Sequence, residues 1–550
     1  MSTTLTEPID LGPRRAPSRV MFGPHETNLG RHRTISARHA AYYARRAAGG
    51  CGVIVTETAS VHPSDWPYER APLAADCGPG WAQAAAACQP HGALLLAGLG
   101  HAGMQGSSAF SQSALWAPSR VPDAGSRELP MEMEDAEIDA LVDGFAAAAA
   151  VAAGARLDGV EINAGQHSLL RQFQSGLTNQ RGDGYGQDRL LLTERVLRAV
   201  RDALGPGRVL GLRLCCDELA PWAGVTPEMA AAQAAQLAGQ VDYLVVVRGS
   251  IYSLPATRPD LHTGPGSGIE LCRPVRAAVN GTVPVITAGS MVDPGQAQWA
   301  LDDGAADLAE MTRAQITDPD LVARLRSGEA ARIRPCLLCN QACMVRDNRN
   351  PVISCVIEPG SGHELDDGGT SGQDQGPARA TRPGQVLVVG GGPAGMECAR
   401  VLAERGHRVR LAERGPALGG MLATAALVGG RQRLAVAVDW WRRELQRLAV
   451  TVSLEHEVTA PEMDSELASG GRVVLATGSV PGPRGYRIAP DARVLEAAGL
   501  LAGVSSGAPW ASCRPAGRWC STRWAGRSGS ASLSCWPRTG GRPPSSPRIR

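Results

Sequence analysis

The sequence predicts an α/β protein: an N-terminal (β/α)8 TIM barrel, a cysteine-rich loop region, and a Rossmann-like α/β domain that is incomplete. Three observations predict it. Eight short apolar runs alternate with alanine-rich helical stretches between about residues 18 and 330. Four cysteines follow with the spacing C-x2-C-x3-C-x11-C. A glycine-rich turn, Gly390–Gly395, then lies between an apolar strand and a helix.

The eight runs are Arg19–Phe22, Val53–Thr56, Leu94–Leu99, Gly159–Ile162, Val209–Leu214, Tyr243–Val247, Val283–Thr287 and Asp307–Met311. Helical stretches such as Ala136–Ala153 and Thr226–Leu237 separate them. A doubly wound open sheet would carry a phosphate fingerprint in its first βα turn, and none is visible there. Active sites of barrels are built at the C-terminal ends of the strands. Those ends offer Gly23-Pro24-His25-Glu26-Thr27, Glu57-Thr58, His101, Asn163 with His167, Arg213, Arg248 to Tyr252, Ala288-Gly289-Ser290 and Thr312-Arg313. Small residues after the seventh and eighth strands let backbone N–H groups approach a phosphate, and Arg313 adds a cation there.

Cys336, Cys339, Cys343 and Cys355 suit the four iron sites of a [4Fe–4S] cube. A four-cysteine zinc site is the competing chemistry, but zinc ribbons usually present two separated C-x2-C pairs. Pro335 and Pro351 mark the region as loop. Residues 360–384, rich in Gly, Asp, Gln, Ser and Pro, read as a surface linker.

Gln385–Val389 reads as a buried parallel strand running into G-x-G-x-x-G at Gly390, Gly392 and Gly395. The helix Met396–Arg405 and the strand Val409–Glu413 follow. The glycines let a helix N-terminus meet a pyrophosphate, and Glu413 stands where an acid accepts from ribose hydroxyls. The expected boundaries are 1–330 for the barrel, 331–359 for the cysteine region, 360–384 for the linker and 385–503 for the dinucleotide domain.

Residues 504–550 break the pattern. Trp510, Trp519, Trp524 and Trp536 occur without apolar periodicity, among scattered Ser, Arg, Gly and Pro. Disordered tails avoid tryptophan and folded domains have periodicity. Reverse-translated with GC-rich codons and shifted by two bases, Arg518–Gly540 can read VVLDPVGGPVGVGIAELLAEDG, a strand, a glycine turn and a helix. The tail is therefore expected to be out of frame or, failing that, disordered.

At 550 residues, two or three domains are expected. With 55 basic and 53 acidic residues the net charge is +2, so no global basic field points to nucleic acid. Every basic residue counted is an arginine; no lysine occurs. No membrane span and no signal sequence are read, so a cytoplasmic protein is expected.

The barrel, the cysteine quartet and the glycine loop, in this order, resemble the family of 2,4-dienoyl-CoA reductase and trimethylamine dehydrogenase. These are Old Yellow Enzyme-type FMN barrels joined to an iron–sulfur region and an FAD domain. Gly159–Ile162, Leu169–Phe173, Thr178–Arg181 and Cys336–Cys343 carry the resemblance, which spans about residues 8 to 500. Gln166-His167-Ser168-Leu169-Leu170 looks most like the mycofactocin-associated branch.

The resemblance implies FMN at the barrel mouth, with Gly23, Pro24 and Thr27 along the ring and Arg213 near the N1–C2 carbonyl. It implies that Gly289, Ser290, Thr312 and Arg313 hold the phosphate. An ion pair of Arg213 with Asp217 or Glu218 is the plainer reading of that arginine. FAD is preferred over NAD at Gly390–Gly395, because Gly419-Gly420 and Ala476-Thr477-Gly478 resemble FAD-binding members.

Departures from the family pattern bear on catalysis. Ser168 stands where a tyrosine proton donor usually falls, Tyr252 where a histidine does, and Gly98 where a glutamine does. His167, Tyr252 and Ser168 are the candidate catalytic residues, with His25 and His101 also at strand ends. No cysteine lies in Gly23–Gly30 to link a flavin covalently.

The implied activity runs from NAD(P)H through FAD and the [4Fe–4S] cluster to FMN and an activated alkene, an enoyl thioester or enone. An amine or alcohol-type dehydrogenase feeding an external carrier is the alternative, as is a redox-impaired truncated form. Expected partners are a small-molecule substrate, an electron-carrier protein and a second copy of the chain.

Overall fold

The computed structural model describes residues 4–345, 350–367, 379–479, 482, 487 and 497–501, and the backbone of 502–505, 518–524 and 531–537. The chain divides into two compact units, Met1–Gly376 and Pro377–Arg550.

The first unit is a closed barrel of eight parallel strands: β1 (Val20–Phe22), β2 (Val53–Val55), β3 (Leu94–Gly100), β4 (Gly159–Ala164), β5 (Val209–Asp217), β6 (Tyr243–Arg248), β7 (Val285–Thr287) and β8 (Leu308–Glu310). Each pairs with the next in sequence, and β8 returns to β1 through Ala309 opposite Val20. All eight predicted runs are strands, with ends shifted by a few residues. The strands are buried almost throughout because helices cover them outside and side chains fill them inside.

Met21, Val53, Val55, Leu96, Val209, Tyr243, Val245, Ile286 and Leu308 form the interior core. Leu11 and Ala16 join it from an antiparallel hairpin, Ile9–Leu11 with Arg14–Ala16. The hairpin thus supplies apolar side chains to a barrel interior that would otherwise meet water. A second core lies between the strands and helices such as Ala37–Ala48, Asp135–Gly154 and Leu191–Leu204.

The cysteine loop and part of the predicted linker pack onto the barrel. Ser361 and Glu364 are buried, and Arg46 donates to both. A buried guanidinium needs such oxygens, so residues 360–367 belong to the barrel unit rather than to an open linker. The remainder of that linker, 368–378, lies outside the described residues.

The second unit is built on a four-stranded parallel sheet of β9 (Gln385–Val389), β10 (Arg408–Ala412), β11 (Thr451–Ser453) and β12 (Arg472–Leu475), in the order β11-β10-β9-β12. This is the strand order of one nucleotide-binding half of a Rossmann-type sheet. Most of the 504–550 tail lies outside the described residues; Arg518–Trp524 and Ala531–Pro537 pair antiparallel. No helix among the described residues is long and apolar enough to cross a membrane.

Candidate active site and nucleotide loop

A cavity of about 420 Å³ opens at the C-terminal ends of the barrel strands. Pro24, His25, Arg213, Gly289, Ser290, Thr312 and Arg313 line it, so seven residues chosen from strand ends converge. Ala288 and Arg248, also offered by the strand ends, line it too, as do Gln166, Arg258, Glu310 and Cys343, which were not singled out for that role.

One end of the cavity is cationic. Gly289 has φ of +105°, a backbone conformation open to glycine, and it turns the chain after β7. Ser290 follows, and its hydroxyl accepts from Arg313 Nη2 at 2.7 Å. Arg313 Nη1 donates to the Pro259 carbonyl at 2.8 Å and to Asn340 Oδ1 at 2.7 Å. All three acceptors are neutral. Burial lowers the Arg313 pKa, the signature of a cation short of a counter-charge. A phosphate supplies one.

The opposite wall carries Arg213, which is paired, but not as the sequence suggested. Its Nε donates to Glu161 Oε1 at 2.8 Å and its Nη2 to Glu310 Oε2 at 2.5 Å. Asp217 instead pairs with Arg248, and Glu218 with Arg171. Alternation puts Glu218 on the other face of β5, and the register shift between Cys215 and Asp217 breaks the alternation that would otherwise place Asp217 beside Arg213. Burial disfavours the Arg213 charge, yet the two carboxylates raise its pKa above the usual arginine value.

Other predicted residues sit elsewhere. Gly23 lies outside the lining; a Cβ there would strike the Glu310 carboxyl at 2.3 Å, and its N–H donates to Thr312 Oγ1. Thr27 is buried, and its hydroxyl donates to Glu57 Oε2 at 2.6 Å. Burial pushes the Glu57 carboxyl up, but hydrogen bonds from His39, Thr27 and Tyr68 outweigh this and hold it below the usual range. Thr27 therefore anchors the first loop from beneath.

Ser168 caps the helix Leu169–Gln174. Its Oγ accepts from the Arg171 N–H at 3.1 Å and donates to the Gly165 carbonyl at 3.1 Å. It is fully buried, so the hydroxyl serves the helix end rather than the cavity. His167 is partly buried and Tyr252 exposed, and neither lines the cavity. Burial raises the Tyr252 pKa. His101 is buried on Trp116, accepting from the Gly103 N–H at Nδ1. At Gly98 a Cβ would meet the Thr56 carbonyl at 2.7 Å, so a glutamine side chain has no room there.

His25 does line the cavity. Its Nδ1–H donates to the Gly23 carbonyl at 2.9 Å, leaving Nε2 to accept from the Tyr42 hydroxyl at 3.0 Å. Burial lowers its pKa to about 4, so the ring is neutral near pH 7.

The four cysteines of the quartet are free thiols. The loop turns through left-handed Leu338 and Asn340, and the Leu338 N–H points at Cys336 Sγ at 3.4 Å. Cys339 and Cys343 each feel the charge of other quartet members, and burial raises Cys343 to about 12. Four cysteine sulfurs are the donor set that a [4Fe–4S] cube takes, while among the described residues no group of three or more His, Cys, Asp or Glu side chains is gathered closely enough to hold a metal ion. Asn340, between two of these cysteines, is the residue that holds Arg313, and Cys343 reaches the cavity wall itself.

In the second unit, Gly390 has φ of +109° and opens the turn after β9. A Cβ on Gly395 would lie 1.9 Å from the Gly390 carbonyl oxygen, whereas one on Gly392 would meet nothing within 4 Å. Gly390 and Gly395 thus pack the turn, and Gly392 leaves open space at the N-terminus of the helix Pro393–Glu404. Glu413, at the end of β10, accepts from the Gly391 and Gly415 N–H groups, both at 2.7 Å.

A parallel barrel with a phosphate-suited mouth, followed by a nucleotide-binding half-sheet, defines a flavin-dependent oxidoreductase. Residues 4–331 match the NADH:flavin oxidoreductase / NADH oxidase family, and residues 384–492 match pyridine nucleotide-disulphide oxidoreductase. The chain belongs to the NADH:flavin oxidoreductase / NADH oxidase family. It is 31% identical to a metal reductase of Desulforamulus reducens over 91% of this chain and 74% of that one. It is 32% identical to an N,N-dimethylglycine/sarcosine dehydrogenase of Chromohalobacter salexigens, covering 87% and 69%. Histamine dehydrogenase from Rhizobium sp. 4-9 superposes with a TM-score of 0.79 at 26% identity, covering 88% of this chain and 70% of that one.

Proposed function

We propose that this chain is an iron–sulfur flavoprotein whose FMN occupies the barrel cavity and exchanges electrons with a [4Fe–4S] cluster on Cys336, Cys339, Cys343 and Cys355. The observation that carries the reading is Cys343, a candidate cluster ligand that is also a wall of the flavin cavity. FMN, when bound, supplies hydride chemistry to substrate and single electrons to the cluster. Arg313, Ser290 and Gly289 bind its phosphate, and Arg213 faces its ring. Gly390, Gly392, Gly395 and Glu413 hold FAD in the second unit, which accepts from NAD(P)H. The substrate is an activated alkene, an enoyl thioester or enone, reduced at the mouth.

The test is anaerobic purification with iron, sulfide and flavin analysis, then mixing with reductant and an enone. Iron and sulfide near four per chain, with FMN oxidised by the enone, is the expected result. Zinc in place of iron would overturn the cluster.

A second reading is favoured by the lining: Ser168, His167 and Tyr252 lie off the cavity, and His25 has both ring nitrogens engaged. Alkene reduction needs a proton beside the hydride. Oxidation of a neutral amine needs no such group: its hydride leaves to the flavin, the product is an iminium ion, and the two electrons then pass to a carrier. Flavin bleaching by an amine or alcohol alone would establish it.

A further inference from the structure

Glu310 is an ionisable residue at the C-terminal end of a barrel strand, facing the cavity, and no step above uses it. It is mostly buried, with its side chain 14% exposed. Oε2 takes a proton donor from Arg213 Nη2 at 2.5 Å, and Oε1 accepts from Thr312 Oγ1 at 3.3 Å. Across the barrel, Glu161 Oε1 takes Arg213 Nε, while its Oε2 accepts from the Tyr243 hydroxyl at 2.9 Å. Arg213 is therefore clamped between two carboxylates drawn from β4 and β8. Formally the cluster holds one positive and two negative charges.

The clamp changes what Arg213 can do. A lone guanidinium beside a flavin ring favours the extra negative charge that the ring carries on reduction. Here one fork nitrogen is held by Glu310, and an additional carboxylate stands in a poorly solvated wall, where charges act strongly. The space is reserved for it: the Gly23 position has no room for a side chain because the Glu310 carboxyl fills that place.

We infer that Glu310 is a redox-positioning residue: by holding Arg213 and neutralising it together with Glu161, it biases the cavity flavin toward electron donation. This rests on FMN binding in the barrel cavity. Removing the charge at this position makes reduced flavin easier to form. Glu310→Gln keeps the size and an oxygen for Arg213 while removing the charge, and Glu310→Asp keeps the charge.

The experiment is an anaerobic spectroscopic titration of the FMN against reference dyes, in the purified holoprotein and both variants. FMN content is measured in parallel by release and chromatography. The expected result is that E310Q shifts the reduced-to-oxidised ratio at least tenfold toward reduced at a fixed potential, about 30 mV for a two-electron couple. E310D stays near the parent. In an Arg213→Gln background the E310Q shift shrinks, because the effect acts through the guanidinium.

Equal potentials in parent and E310Q, both retaining FMN, would overturn the inference and leave the FMN reading intact. A parent chain that carries no FMN overturns the binding reading itself and the inference with it. If E310Q fails to fold, Glu310→Ala carries the same expected shift.

Discussion

Replacing Arg313 by glutamine tests the phosphate end of the cavity. The guanidinium donates to Ser290, Pro259 and Asn340, all neutral oxygens, and burial lowers its pKa. It is therefore a desolvated cation that gains most from an anion. A hydrogen bond to a charged group contributes about 1.5–3 kcal/mol. At about 1.4 kcal/mol per decade, losing it weakens FMN binding roughly 10- to 150-fold. Riboflavin has no phosphate, so its affinity falls by less than about threefold on the same arithmetic. The assay is quenching of flavin fluorescence on titrating apoprotein, with FMN and riboflavin in parallel. Equal loss for both ligands would refute the assignment, since it would show a collapsed mouth rather than a missing phosphate partner. Unchanged affinity for both would place the phosphate elsewhere.

Cys343→Ser should abolish the broad iron–sulfur absorbance and lower bound iron while FMN remains, measured by spectra and metal analysis; intact iron would remove Cys343 from the ligand set. Ser168→Ala should cost about 1 kcal/mol, the worth of a lost N-cap. Its turnover should change little, and a hundredfold loss of turnover would instead make the hydroxyl catalytic. For His25 the folded pKa is depressed, because burial disfavours the imidazolium. Its contribution to stability is fully present above the unfolded value of about 6.5 and is lost as pH falls toward about 4. Thermal melts across that window should be less steeply pH-dependent in His25→Asn, and identical slopes would count against the assignment. Sequencing the DNA that encodes Leu500–Arg518 should reveal a missing or extra base; an uninterrupted frame would mean the tail is read as it stands.

The barrel was legible because each strand is a local apolar run and each helix a local periodicity. Gly390–Gly395 was legible for the same reason: strand, glycine turn and helix follow one another locally. Ser168 enters the candidate list because its position in the chain matches a family pattern. Its environment, a helix end needing an acceptor, is decided by where Arg171 and Gly165 lie around it. Glu310 sat inside a strand run, and a carboxylate at the C-terminal end of an inward-facing run was the signal that could have found it.

The sequence by itself determined the order of domains, the eight strands, the cysteine spacing and the nucleotide turn, all written in stretches short enough to be read without knowing the fold. Only the tertiary structure decided which charges meet. Arg213 finds Glu161 across 52 positions and Glu310 across 97, and Arg313 reaches Asn340 across 27. Barrel closure brings β8 beside β1 and turns alternate side chains inward, so a residue's partner is set by strand order and facing rather than by its neighbours in the chain.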